Sequence, residues 1–105
     1  METKISVLLA DPGEQYRAAY SKAIGQETDM ELVAQTDNGL RAAELITKFQ
    51  PDVVVLDLVL PNLDGLSLLT HLRAKNASSR VIVTSAICNE QVLMECAELG
   101  TTYFM

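Results

Sequence analysis

Two aspartates stand where apolar runs stop: Asp11 in SVLLADPGEQYRAAY and Asp57 in PDVVVLDLVLPNLDG. A carboxylate at the end of a buried strand costs free energy unless it is paired, hydrogen-bonded or bound to a cation. For Asp57 a capping role is weak, because LVLPN starts no helix and the next helix has its own cap in Asp64. A chemical role is the better reading. Asp11 has a local alternative: its carboxylate could cap a first helical turn, with Pro12 in the first helical position and Glu14 completing a capping box. Ser85, at the end of a further apolar run, adds a hydroxyl.

The elements that would position these groups follow from hydrophobic spacing. Apolar runs at 4–10, 31–36, 52–57, 80–85 and 102–105 predict five strands. The near-continuous ISVLLA, VVVLD and VIVTS predict strands covered on both faces. Between them, Tyr16, Ala19, Tyr20, Ala23 and Ile24 space out one helix face, and Ala42, Leu45, Ile46 and Phe49 a second, limited by Pro51. Leu68, Leu69 and Leu72 follow the Asp64 cap; Val92, Leu93, Cys96 and Ala97 follow Asn89, with Gly100 as a stop. Alternating strands and helices predict an α/β, flavodoxin-like, doubly wound parallel sheet of five strands in the order 2-1-3-4-5. Ligands in such folds bind outside the carboxyl ends of the strands, at the switch between strands 1 and 3. Asp11 and Asp57 would meet there, with Ser85 beside them.

The 105 residues suffice for one core, so residues 1–105 read as one domain. With 49% hydrophobic and 21% charged residues the chain belongs with globular rather than disordered sequences. No apolar run approaches the roughly 20 residues of a membrane span, and KISVLLA lacks a signal-peptide design, so a cytoplasmic location without membrane contact is expected. A formal net charge of −6 argues against direct binding to nucleic acid. Cys88 and Cys96 lack metal-site spacing and read as free thiols. His71 is expected on the side of a helix.

ISVLLAD, PDVVVLDLVLPNLDGLSLL, RVIVTSA and AELGTTYF together resemble the receiver domains of two-component response regulators. The likeness spans the whole chain, and within it PNLDGLSLL and ELGTTYF look most like receivers of sporulation regulators. The resemblance implies that Asp57 accepts a phosphoryl group from a phosphohistidine on a sensor histidine kinase or phosphotransferase. It also implies Mg²⁺ held by Asp11, Asp57 and the backbone carbonyl of Val59, in keeping with phosphoryl transfer as positioning plus charge neutralisation. Ser85 would hydrogen-bond the phosphoryl group, Ala86 would leave it room, and Phe104 would be the aromatic switch. Adding roughly −1.5 to −2 of charge at Asp57 would repack the surface made by the helix after Asn89 and the last strand. That surface would control an output, expected to be a DNA-binding domain outside this chain that regulates transcription. Apolar Val59 and Ile87 would make self-dephosphorylation slow.

Two departures from the family pattern matter. Most receivers end the first strand with two adjacent acids, but Pro12 replaces the second and brings neither carboxylate nor N–H. The loss should weaken Mg²⁺ binding by ~1 to 3 kcal/mol, unless Glu14 reaches back to the site. The strand-end Lys and fifth helix of receivers would lie past Met105, so the last strand and fifth helix are expected to be truncated and the chain reads as a fragment of a longer protein. If the chain did end at Met105, exposed apolar surface would favour association, as in a homodimer.

Other functions stay open. A degenerate receiver would keep the fold and signal through protein contact without phosphorylation, which Pro12 favours and the retained Asp57 and Ser85 disfavour. An aspartyl phosphatase needs an acid two residues after its nucleophile, where Val59 stands, so enzymatic turnover is not expected. Flavin binding is disfavoured by a first loop poor in Ser, Thr and Gly.

Overall fold

The computed structural model describes residues 4–75 and 79–84, residues 91, 94, 97 and 98, and the backbone of 103–104. The apolar runs form β1 (Ile5–Ala10), β2 (Met30–Thr36), β3 (Val53–Leu56), β4 (Arg80–Val83) and β5 (Tyr103–Phe104). The helical patterns form α1 (Glu14–Gly25), α2 (Gly39–Phe49) and α3 (Gly65–Ala74). Gln91, Met94, Ala97 and Glu98 are helical, as the fourth pattern predicts. Asn89, Val92, Leu93, Gly100 and both cysteines lie outside the described residues.

All strand pairs are parallel, in the order β2-β1-β3-β4-β5. This is the expected flavodoxin-like arrangement, and it makes β1 and β3 neighbours although a strand and two helices separate them in sequence. Leu8, Leu9 and Ala10 are fully buried in succession, so β1 is covered on both faces as its unbroken apolar run predicts. β3 and β4 are less evenly covered: Val54, Leu56, Val81 and Val83 are buried, while Val55 and its register partner Ile82 are only half-buried. The main core lies under α2 and α3, where Leu8, Val54 and Leu56 meet Ile46, Leu68 and Leu69.

Helix faces follow the spacing unequally. Ala42, Leu45 and Ile46 of α2 and Leu68, Leu69 and Leu72 of α3 are buried as expected, and His71 is half-buried on the side of α3. Phe49 is not: it is 42% exposed at the end of α2, with the Lys48 ammonium 5.4 Å from its ring centroid. The face predicted for α1 is also displaced. Tyr16 is 66% exposed, Ala19 and Ala23 are exposed, and the inward stripe runs through Arg17, Tyr20, Ser21 and Ile24. The Arg17 guanidinium donates to the Asp11 carbonyl at 2.8 Å, tying this inward face to the preceding turn. Among the described residues, no helix is long and apolar enough to cross a membrane.

Candidate functional site

Ala10 and Leu56 are register partners at the carboxyl ends of β1 and β3, and the next residue on each strand is an aspartate. Ladder bonds continue past both strands: Asp57 N–H donates to the Ala10 carbonyl at 2.9 Å, and Asp11 N–H to the Thr36 carbonyl at 3.1 Å. The predicted meeting of Asp11 and Asp57 is therefore present. Asp11 is only 4% exposed and Asp57 is half-buried.

Each carboxylate takes one local donor, through the side-chain turn that aspartates favour. Gly13 N–H donates to Asp11 Oδ1 at 2.7 Å, and Val59 N–H donates to Asp57 Oδ1 at 2.8 Å. Among the described residues neither carboxylate forms an ion pair. Burial pushes the Asp57 carboxyl above its ordinary value; the Val59 N–H opposes the rise, and the negative charge of Asp11 adds to it. Two neighbouring acids of like charge are a place for a cation.

The expected helix cap is corrected by the structure. α1 starts at Glu14 with Gly13 as its N-cap, and no side chain caps it. Pro12 thus lies before the helix and no capping box forms, because the Asp11 carboxylate is spent on Gly13 within the turn. Glu14 is exposed and lines a groove with Arg17, Ser21, Lys22 and Gln35 rather than joining the aspartates. Asp64 does cap as expected, its Oδ1 accepting Ser67 N–H at 2.9 Å and its Oδ2 the Ser67 hydroxyl at 3.0 Å.

The loop after Asp57 is held from both sides of its chain. Leu58 and Leu60 are buried, and between them Val59 turns outward, 50% exposed. Gly65 N–H closes the loop onto the Leu58 carbonyl at 2.8 Å. A Cβ at Gly65 would collide with Leu58 Cα and come 2.8 Å from the Asp57 carbonyl oxygen, which is why glycine follows the Asp64 cap. Ser85, Ala86 and Ile87 lie outside the described residues. Phe104 is in β5 opposite Val83, and its side chain is likewise outside them. Thr84 N–H donates to the Leu56 carbonyl at 2.8 Å, while its hydroxyl oxygen is buried without a partner among the described residues. Arg17, which anchors the Asp11 turn, was not singled out by the sequence reading; nothing in the spacing of a lone arginine marks it.

Among the described residues no group of three or more His, Cys, Asp and Glu gathers to hold a metal ion. The donor set is a carboxylate pair. Such a pair suits Mg²⁺, which keeps several waters and commonly takes one or two carboxylates together with phosphate oxygens.

A doubly wound parallel sheet with two acids at its switch point defines the class: a flavodoxin-like domain whose site lies at the carboxyl ends of its strands. The family model of the response regulator receiver domain matches residues 7–105, and the chain belongs to that family. The signal receiver domain of NarL from Mycobacterium tuberculosis is similar at 26% identity and TM-score 0.91, over 97% of this chain and 82% of that one. The response regulator domain of CheB from Thermotoga maritima matches at 31% identity and TM-score 0.89, over 97% and 77%. A DNA-binding response regulator of the LuxR family from Staphylococcus aureus matches at 29% and 0.91, over 96% and 84%. None of these is described as a sporulation regulator, and the narrower likeness has no support from them.

Proposed function

We propose that this chain is the phosphoacceptor receiver of a two-component phosphorelay, with Asp57 as the acceptor. The observation that supports this most is the half-buried Asp57 carboxylate beside Asp11, without a counter-charge among the described residues and raised in pKa by burial. An Asp57 carboxylate oxygen attacks phosphorus, the new O–P bond forms as the P–N bond of a phosphohistidine breaks, and the electron pair returns to the imidazole. The donor is a sensor histidine kinase or phosphotransferase. Asp11, Asp57 and the Val59 carbonyl are the proposed Mg²⁺ ligands, and the bound ion would neutralise phosphoryl oxygen charge.

This chain's own residues do the remaining work. Asp11 is fixed by Gly13 N–H and, through its carbonyl, by Arg17. Val59 N–H orients the Asp57 carboxylate. Ser85 donates its hydroxyl to the phosphoryl group, and Phe104 reports that movement to the surface beside β4 and β5. The exposed apolar side chain of Val59, with Ile87, offers nothing to orient a hydrolytic water, so the phosphorylated state is long-lived. The output is an attached or separate domain controlling transcription, in the cytoplasm. This domain itself carries the switch and neither binds DNA nor turns over a substrate.

The test is incubation with acetyl phosphate and Mg²⁺ followed by intact-mass measurement, with Asp57→Asn as control. A phosphoryl adduct that disappears in the control is expected. The second reading, a degenerate receiver acting by protein contact alone, draws on Pro12 and on the absence of a third carboxylate among the described residues. No adduct at high Mg²⁺ in the folded protein would establish it over the first.

A further inference from the structure

The geometry points to Gly39 as a positioning residue for the loop that follows Asp57: the first turn of α2 sets where residues 58–63 lie, and through them the carboxylate of Asp57. Its functional arm rests on the phosphoacceptor reading; its structural arm does not.

Gly39 is the buried first residue of α2, after Asn38, whose Oδ1 accepts Arg41 N–H at 3.1 Å as the helix cap. The first N–H groups of a helix have no partner within it. That of Gly39 is used outside the helix, donating to the Pro61 carbonyl at 3.0 Å. The same carbonyl takes Leu63 N–H at 2.9 Å, and Asn62 between them adopts a left-handed φ of 71°. Gly39 therefore holds the apex of the loop at its tightest turn.

The approach is closer than any side chain permits. A Cβ at Gly39 would run into the Leu63 carbonyl oxygen, 2.6 Å from the carbonyl carbon and 2.9 Å from Leu63 Cβ. Because the obstruction is backbone, no rotamer change relieves it; the loop or the helix must move. Leu58 and Leu60 are locked in the core, and Gly65 closes the far end onto Leu58 and Asp57. A push at Leu63 is thus passed along a short, pinned segment toward Val59, whose amide holds the Asp57 carboxylate. The two glycines that open α2 and α3, Gly39 and Gly65, clamp the acceptor loop between them.

Gly39→Ala tests this against Asn38→Ala, which removes the α2 cap but leaves the contact with the loop. Three quantities are read on both variants: urea stability, amide hydrogen exchange at Val59, and the Mg²⁺ concentration for half-maximal phosphorylation by acetyl phosphate. Gly39→Ala should speed Val59 exchange and raise that Mg²⁺ concentration, each by roughly fivefold or more, as coupled sites do. Asn38→Ala should lose stability yet leave both nearly unchanged. Wild-type behaviour of Val59 in folded Gly39→Ala, or changes in both variants that merely track lost stability, would overturn the inference. If the wild-type protein takes up no phosphoryl group, the functional reading fails and Val59 exchange alone decides the structural arm. If Gly39→Ala does not fold, the wild-type protein decides: the Gly39 and Val59 amides should open with the same free energy and the same urea dependence, and independent opening would refute the clamp.

Discussion

Strand β3 has one aspartate immediately before it and another immediately after it, and the two are treated in opposite ways. Asp52 Oδ2 accepts Ser6 N–H at 2.9 Å and the Ser6 hydroxyl at 3.0 Å, while Asp52 N–H donates back to Ser6 Oγ at 2.9 Å. The Ser6 backbone bond, then its hydroxyl, hold the Asp52 carboxyl below its ordinary value against a small opposing effect of burial. Asp57, beyond the four strand residues, receives one backbone N–H among the described residues, lies beside Asp11, and is pushed up. At the amino end of the sheet polar groups are matched to partners for stability. At the carboxyl end negative charge has no counter-charge among the described residues, which costs stability and makes room for a cation.

The largest test of this contrast is the response to Mg²⁺. At about 100 times its Kd the ion should add about 2.7 kcal/mol to the free energy of unfolding, measured by urea titration. Asp57→Asn should lose most of that gain and Asp52→Asn should keep it; equal responses would erase the distinction. Next comes Ser79→Ala at the amino end, where the buried hydroxyl donates to the Pro51 carbonyl at 2.6 Å. Stranding that acceptor should cost about 1 to 3 kcal/mol, again read from urea unfolding.

A smaller contrast lies in the pH dependence of the metal-free protein. A lowered folded-state pKa means that the contribution of Asp52 is complete above the unfolded value and lost as pH falls through the folded one. Asp52→Ala should therefore be less stable than wild type at pH 7, with the gap closing below the ordinary carboxylate range. A raised folded-state pKa means that ionised Asp57 costs stability above that value, and the cost fades as pH falls toward the unfolded value. Asp57→Asn should be more stable than wild type at pH 7, with the gap closing on acidification. Thermal melts at a series of pH values would show the two gaps with opposite sign. The smallest effect is expected for Thr84→Val, which removes a buried hydroxyl without a partner among the described residues. It should leave stability unchanged or raise it by up to about 1 kcal/mol in the same melts.

The meeting of Asp11 and Asp57 was legible because it depends only on strand order and on which residue ends each apolar run. The inward faces of α2 and α3 were legible because their leucines and isoleucines decide the burial. α1 was legible only in part: Tyr20 and Ile24 point inward as their spacing predicts, but Tyr16, Ala19 and Ala23 are exposed, and apart from Ile24 the face offers only alanines and tyrosines, which hold a helix orientation weakly. The cap at Asp11 was misread because Asp-Pro-Gly-Glu fits both a capping box and a side-chain turn, and only the backbone path between them tells which forms. The Ser6–Asp52 ring joins residues 46 positions apart, and the Gly39 contact is made by an absent side chain. Neither leaves a local pattern.

One irregularity in the outer strand has a consequence for how the molecule behaves among its copies. Where β2 pairs with β1 the register slips by a residue, from Val7 opposite Leu32 to Leu8 opposite Ala34, leaving Val33 unmatched. β2 is the sheet's free edge on that side, and a long flat edge would offer a ready template for another strand. The slip breaks its seven residues into two short stretches with a local twist between them. Strand-to-strand polymerisation along β2 is therefore discouraged by the backbone itself, without a charged or proline residue having to block the edge.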